Sequence, residues 1–521
     1  MKLKLTTHSI LFLSLAIGFA SLNAGADDLK FREVPGTGLD TILQQRRAEL
    51  EKRTGGKLKG HAWWLWGLSA FDYDGDGDED FIVCIHGSTN GLIIKNLQQE
   101  TGQLKFADVT KELGVDGIIP STDDYPLAWD FDGDGDLDIA GLLDDKPTPC
   151  LINEEGKKFT EAKFTLHPLN HPQGVRDLNG DGYLDVFQYR RGKRLSFQYN
   201  PATNTFQKTE AEIEHPFQLP KSVQDQIETL RGKKENRFIK FKYLTTADLN
   251  NDGLKDVIVS GFSSYSGDRV GWYLTSNGDG ALEDSTDRLG LPREGAPFFT
   301  EDFDRDGYDD LLIASGNEAG FYRSERGKTF RRIEGELTDF LKRRCPYLHV
   351  AMRADFDNDG DFDLAISNRR YGQQRVFENK GQHFETRLSS RGWDADPLVI
   401  RDLNNDGRLD VIIGGAGTKE NIGIFLNETG STGAYCKIKP RMDGPNKFAV
   451  GTKLEIYEVG DLNRKDAKPI ATETAPPNGS PIHIGLGTAK RFDMRVTFPG
   501  MKPQEDTNTE VKSELTIKPT N

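Results

Sequence analysis

Carboxylates that recur at positions one, three, five and nine of a short loop can converge on one hard cation. This chain repeats that spacing seven times, as D-x-[DN]-x-D-G-x-x-D. Four copies supply Asp72, Asp74, Asp76 and Asp80; Asp130, Asp132, Asp134 and Asp138; Asp177, Asn179, Asp181 and Asp185; and Asp248, Asn250, Asp252 and Asp256. Three more supply Asp302, Asp304, Asp306 and Asp310; Asp355, Asp357, Asp359 and Asp363; and Asp402, Asn404, Asp406 and Asp410. Calcium accepts six to eight oxygens at about 2.3–2.6 Å. Asn at position three is still an oxygen donor, position seven can add its main-chain carbonyl, and Gly at position six permits the sharp turn.

Without a cation, each loop would hold like charges within a few ångströms, which raises carboxylate pKa values or opens the loop. A bound cation reverses that sign. Up to seven structural calcium ions are therefore expected, and they would offset most of the formal net charge of −15. Extracellular sites of this kind bind at roughly 10⁻⁴ to 10⁻³ M. A single acidic turn is often only a solvated loop, but seven copies at matched internal spacing form a repeat. An EF-hand is excluded: it needs a bidentate Glu at position twelve between helices, where this chain has Val83, Gly141, Gln188, Val259, Ile313, Ile366 and Ile413. Magnesium fits less well, because it demands a tighter octahedron.

Each loop precedes a short apolar run such as FIVCI, VIVSGF, LLIAS, LAIS or VIIGG. Runs of that length, rich in β-branched residues, read as buried strands. Further strand-like pieces follow, LIIKN and IFLNETG among them, ending in turn residues. Several strands in about 50 residues make a propeller blade, and seven units fall in the usual range of roughly four to eight. Radial closure also removes exposed sheet edges. The expected fold is thus all-β: a seven-bladed β-propeller with calcium loops over 60–430. Helices are expected at Asp40–Arg53, capped by Asp40, and at Glu336–Arg344, and an exposed helix with a charged loop is expected over Ser222–Arg237 as an insertion. From 431 to 521 the runs KLEIY and FDMRVTF alternate as strands, with Phe492, Met494, Val496 and Phe498 on one face, which fits a small β-sandwich. Gly485-Leu486-Gly487 reads as a tight turn, since no helix pattern follows to make it a phosphate cradle.

The seven loops, with tails such as NGDGALEDST at 277–286 and FADVTKELGV at 106–115, resemble FG-GAP or VCBS repeats, the calcium-loop blades of integrin alpha chains. The region from 431 is similar to the ASPIC/UnbV domain, on Asn446 with Gly451, on Gly485-Leu486-Gly487, and on the Phe498-Pro499-Gly500 ending. The whole arrangement resembles the cartilage acidic protein family and its bacterial relatives. That resemblance implies extracellular binding or matrix roles and no catalytic machinery.

The first 26 residues read as a secretory signal, with Lys2 and Lys4 before an apolar core from Ile10 to Ala20, followed by a helical or linker segment over 27–59. No later run has the length of a membrane span, so stable membrane insertion is not expected, and the acidic balance argues against nucleic acid as partner. Four cysteines, Cys84, Cys150, Cys345 and Cys436, lack metal-ligand spacing; a buried thiol is expected at Cys84, with room for one disulfide elsewhere. No GxSxG, HExxH or P-loop pattern occurs. His167 and His171 are separated by Pro168, which favours a surface loop over a chelating helix. Trp63, Trp64 and Trp66 could form a carbohydrate platform, although blade core is the commoner use of such residues. The leading expectation is a secreted or periplasmic, calcium-stabilised propeller that binds a protein or glycan ligand, for adhesion and without catalysis. The alternatives are a lyase-like polysaccharide-active enzyme, with Arg190, Arg191, Lys193 and Arg194 as its basic cluster, and a structural matrix or cell-wall component.

Overall fold

The computed structural model describes residues 28–520 except 56–64, 86–90, 120–125, 141–147, 167–173, 191–192, 204, 213–218, 233–238, 264–268, 279–280, 315, 345–347, 369–372, 392–396, 415–421, 431–432 and 465–466. The chain is all-β, with 45% strand against 9% helix. Each acidic loop joins the first two strands of a four-stranded antiparallel sheet. In sheet one these strands are Leu65–Phe71, Asp80–Ile85, Leu92–Asn96 and Phe106–Asp108, hydrogen-bonded in that order. Five more sheets repeat the plan, beginning at Leu127, Gly174, Ile239, Ala296 and Leu348.

In all seven sheets the second strand begins at the ninth loop residue: Asp80, Asp138, Asp185, Asp256, Asp310, Asp363 and Asp410. The apolar runs behind these residues are central strands. Every residue of Asp80–Ile85, Asp310–Ala314 and Asp410–Gly414 is buried, as continuous Val, Ile and Leu requires when both sheet faces are covered.

Sheet seven is different. Leu398–Arg401, Asp410–Gly414 and Ile422–Asn427 supply three strands, and Phe31–Glu33 from the other end of the chain pairs antiparallel with Ile422–Asn427 as the fourth. The segment 27–59, expected as a helical or linker segment, thus supplies a strand as well as a helix. Three residues carry no readable alternation, and their partner is almost four hundred residues away, so only tertiary pairing reveals this strand. Sheet seven also abuts sheet one. Leu65 and Phe81 share a core with Leu403 and Ile412, under helix Leu39–Arg53. Asn96 Nδ2 donates to Leu403 O at 3.2 Å, and Asn405 Nδ2 to Asp78 Oδ1 at 2.9 Å.

The helix at 39–53 is not capped by Asp40. Gly38 takes the cap position with φ +91° and no side-chain cap, while Asp40 lies in the first turn, where a negative charge favours the helix dipole. Its buried face is Leu39, Leu43, Arg46 and Leu50. Arg46 is buried because it pairs with Asp116 at 2.5 Å. The expected second and third helices are Lys221–Gly232 and Glu336–Arg344.

The C-terminal region forms two sheets around one core. Ile482–Gly487, Ala434–Pro440 and Glu514–Ile517 make one, and Ala471–Thr474, Lys453–Tyr457, Arg491–Thr497 and Gln504–Glu510 the other. Cys436 and Ile438 from the first pack with Leu454, Ile456, Phe492, Met494, Val496 and Phe498. Gly485-Leu486-Gly487 is the end of a strand rather than a tight turn. A Cβ on Gly485 would come 1.9 Å from Asp355 Oδ2, so glycine permits this strand to lie against the sixth acidic loop. Cys84, Cys150 and Cys436 are buried and outside any disulfide; Cys345 lies outside the described residues.

Candidate metal centres

One hydrogen-bond scheme recurs in all seven loops. The position-one carboxylate accepts the N–H of the position-six glycine through Oδ2, at 2.8–3.1 Å. Position five accepts the N–H of position seven. These bonds wrap the chain around its own side chains, and at Asp130, Asp177, Asp248, Asp302 and Asp402 Oδ1 also accepts a loop N–H, at 2.6–3.0 Å. In the first and sixth loops Asp72 Oδ1 and Asp355 Oδ1 accept no hydrogen bond and are buried, as is Asp74 Oδ1. Oxygens of Asp72, Asp74 and Asp80 lie within 4.8 Å of one another, as do those of Asp130, Asp132 and Asp138, of Asp302, Asp304 and Asp306, and of Asp355, Asp357 and Asp359. A hard divalent cation fits this donor set: oxygens only, several anionic, with a buried oxygen left unbonded on each of Asp72, Asp74 and Asp355.

Electrostatics point the same way. Burial, reinforced by neighbouring aspartates, pushes the carboxyls of Asp72, Asp130 and Asp302 up to about 7. Burial drives Asp80, Asp138, Asp310 and Asp363 well above the usual carboxylate range. Such groups keep a proton unless a cation replaces it.

Position nine carries a second duty that the spacing alone does not reveal. Its Oδ2 accepts the N–H of position two at 2.8–3.4 Å. Its Oδ1 accepts an N–H at the end of the third strand at 2.7–3.1 Å. The buried aspartate thus ties three strands together within each sheet.

The three asparagines at position three behave differently from their aspartate counterparts. Asn179, Asn250 and Asn404 donate Nδ2 to the position-five carboxylates at 2.8–2.9 Å. An internal donor therefore takes one carboxylate in these loops. The first loop has its own internal cation: Lys95 Nζ contacts Asp74, with Asp76 at 3.0 Å and Glu100 at 2.6 Å.

Two further features of the repeat carry sequence signals of their own. Position four is left-handed in every loop, with φ from +53° to +82° at Gly75, Gly133, Gly180, Asn251, Arg305, Asn358 and Asn405. Six of these are Gly or Asn, the types that tolerate it; Arg305 is the exception. Asn at the end of the third strand stitches neighbouring sheets: Asn153 donates to Tyr73 O, Asn379 to Phe303 O and Asn427 to Phe356 O, at 2.8–3.2 Å.

The C-terminal region lies over the loop face, which the sequence does not indicate. Lys437 pairs with Asp402, Lys447 donates to Asp134 O and Lys468 to Gly307 O. The main chain docks on loop six through Gly433 N to Asp357 O at 2.7 Å and Gly487 N to Asn358 O at 2.8 Å. Arg353 forms a two-pronged pair with Glu473 at 2.6 and 3.0 Å. This cover explains why Asp355, Asp357 and Asp359 are the most enclosed ligand set.

Of the 28 expected ligand positions, the structure brings three carboxylates together in each of four loops, at Asp72, Asp74 and Asp80, at Asp130, Asp132 and Asp138, at Asp302, Asp304 and Asp306, and at Asp355, Asp357 and Asp359. Trp63, Trp64, His167, His171 and Arg191 lie outside the described residues, as do the side chains of Trp66, Arg190, Lys193 and Arg194. No described helix is long and apolar enough to cross a membrane.

No curated relative matches the chain in sequence. Among solved structures, it is similar to a Saccharomyces cerevisiae protein, Sqt1, at 11% identity and a TM-score of 0.41, over 71% of this chain and 97% of that one. An Agrocybe aegerita lectin that recognises non-reducing terminal N-acetylglucosamine shows 18% identity and a TM-score of 0.38, over 72% and 87%. The V. cholerae biofilm matrix protein Bap1 shows 10% and 0.30, over 81% and 85%. Likeness this distant transfers neither ligand nor activity. The sequence itself carries FG-GAP-like repeats in two places, at residues 248–313 and 355–413, across the fourth to seventh acidic loops.

Proposed function

We propose that the chain is a secreted, calcium-binding propeller of seven blades that serves as a non-catalytic binding or adhesion module for an extracellular protein or glycan. The observation that carries the reading is the sevenfold acidic loop, with position one hydrogen-bonded the same way each time. Seven blades closed in a ring are supported by the fourth strand that Phe31–Glu33 adds to sheet seven and by the bonds from sheet seven to sheet one. In this reading 27–59 contributes both a helix and the closing strand, 60–430 the blades, and 431–521 an ASPIC/UnbV-like β domain. The signal-like residues 1–26 support export. Calcium is structural: it fixes the turn that enters each central strand, and binding only the folded state stabilises it. A rigid ring leaves recognition to loops and to the C-terminal domain.

Metal analysis after gel filtration in calcium, with calorimetry in calcium and in chelator, tests the ion. Several calcium ions per chain and a higher melting temperature are expected; no bound metal and unchanged transitions overturn it. A glycan array read in calcium and in chelator tests the ligand class.

A further inference from the structure

The seventh acidic loop matches the other six in spacing but not in what its carboxylates meet. Lys437 Nζ pairs with Asp402 Oδ2 at position one, and Arg408 Nη2 with Asp406 Oδ2 at position five. All six carboxylate oxygens of this loop are bonded. Asp402 Oδ1 accepts the N–H of Asp406 at 3.0 Å, and Oδ2 that of Gly407 at 2.9 Å. Asp406 Oδ1 accepts the N–H of Arg408, and Oδ2 an Nδ2–H of Asn404, both at 2.9 Å. Asp410 accepts from Asn427 N at 2.8 Å and Leu403 N at 2.9 Å. Loops one and six, by contrast, keep buried unbonded oxygens on Asp72, Asp74 and Asp355.

The fold holds Lys437 in that place. It lies on Ala434–Pro440, the middle strand of its sheet, between Ile482–Gly487 and Glu514–Ile517. Tyr435, two residues earlier and so on the same face, packs on position six of the loop. A Cβ on Gly407 would stand 2.1 Å from Tyr435 Cζ. The ion pair is nearly dry, with 15% of the Lys437 side chain and 4% of the Asp402 side chain exposed. Unit charges interact strongly where water is scarce, so a divalent cation at Asp402 would be repelled by this ammonium and by the Arg408 guanidinium. The other lysines on the loops leave room for an ion. Lys447 and Lys468 reach main-chain oxygens, of Asp134 and Gly307, while the carboxylates of loops two and five converge. Lys95 touches Asp74 and Asp76, yet Asp72 and Asp80 still lie within 4.8 Å of Asp74.

We infer that loop seven takes no calcium: Lys437 and Arg408 serve as its cation, and Lys437 reaches it only because the C-terminal region is docked. The inference rests on the calcium reading above and makes the seventh loop its exception, fixed by an ion pair instead of an ion. The test counts calcium per full-length chain by metal analysis after gel filtration in saturating calcium, with a melting curve for each variant to confirm folding. Lys437→Met/Arg408→Leu is expected to gain one ion over wild type; Leu already stands at the matching position of loop four, as Leu254. Adding Asp402→Asn to that variant should remove the extra ion and so place it in loop seven. Asp402→Asn alone should keep the wild-type count, while Asp130→Asn, in loop two, should lose one ion. An unchanged count in folded Lys437→Met/Arg408→Leu, or a loss of one ion in Asp402→Asn alone, overturns the inference. The second result decides by itself if the double variant does not fold. A loss at both Asp130 and Asp402 sinks this inference and leaves the calcium reading standing; a wild type without bound calcium sinks both.

Discussion

Arg305, at position four of the fifth acidic loop, donates from Nη1 to the carbonyl oxygen of Gly485 at 3.1 Å, crossing from the sheets to the C-terminal region. It does so from a backbone φ of +53°, where the equivalent positions of other loops carry Gly or Asn. Its guanidinium also lies 4.7 Å from the Phe362 ring centroid and 3.7 Å from Asp355 Oδ2. A residue in the left-handed region costs of order 1 kcal/mol or more, so the contacts it makes offset that strain.

Arg305→Asn removes the bridge and the strain together. Global stability should move by only about 1 kcal/mol, because a hydrogen bond from a charged group is worth about 1.5–3 kcal/mol and strain relief offsets part of it. Amide exchange at Gly485 and Gly487 should accelerate while the sheets stay protected. Unchanged exchange there would remove Arg305 from the docking contact.

Asp363→Asn tests the double duty of position nine. Both of its oxygens accept buried backbone N–H groups, from Phe356 at 3.0 Å and Asn379 at 2.7 Å. An amide turns one acceptor into a donor facing a donor, a loss of about 2 kcal/mol or more. The deficit should persist in chelator when denaturation is followed by guanidinium titration. Asp357→Asn imitates the third position of Asn404, so it should weaken calcium binding and leave chelated stability nearly unchanged. Equal behaviour of the two variants would refute the distinction.

Lys95→Met withdraws the ammonium from the first loop and leaves Asp74, Asp76 and Glu100 facing one another. The chelated variant should melt lower than wild type, and calcium should raise its melting temperature by more. An identical calcium-induced shift in the two proteins would show that Lys95 does not stand in for a cation.

The pH dependence of the chelated protein has a definite sign. Asp72, Asp130 and Asp302 hold protons up to about pH 7 when folded, against an ordinary carboxyl value of 3.8. Between those limits the folded state binds more protons than the unfolded one, so stability falls as pH rises through the window. Melting temperature in chelator should therefore drop from pH 5 to pH 8. Saturating calcium should abolish that drop, because the cation takes the place of the protons. A chelated protein that gains stability over this range would contradict the crowding of carboxylates.

The sequence by itself determined the loops. Position-one, -five and -six residues bond within one turn, and the apolar run behind each loop is dense enough to become a central strand wherever it lands. Those are local matters, settled over fewer than ten residues, and so they can be read by spacing. The helix at 336–344 was legible for the same reason. Tertiary structure alone decided that Phe31–Glu33 completes sheet seven, that Asn96 reaches Leu403, and that Lys437, Lys447 and Lys468 rest on the loop face. Those contacts join residues far apart in the chain, 35 positions for Lys437 and Asp402 and 313 for Lys447 and Asp134, where a three-residue strand or a lone lysine has no periodicity to announce it. A cavity between Met352, Ile400 and Pro481 belongs to the same class, because a concave space exists only once two separate regions have packed.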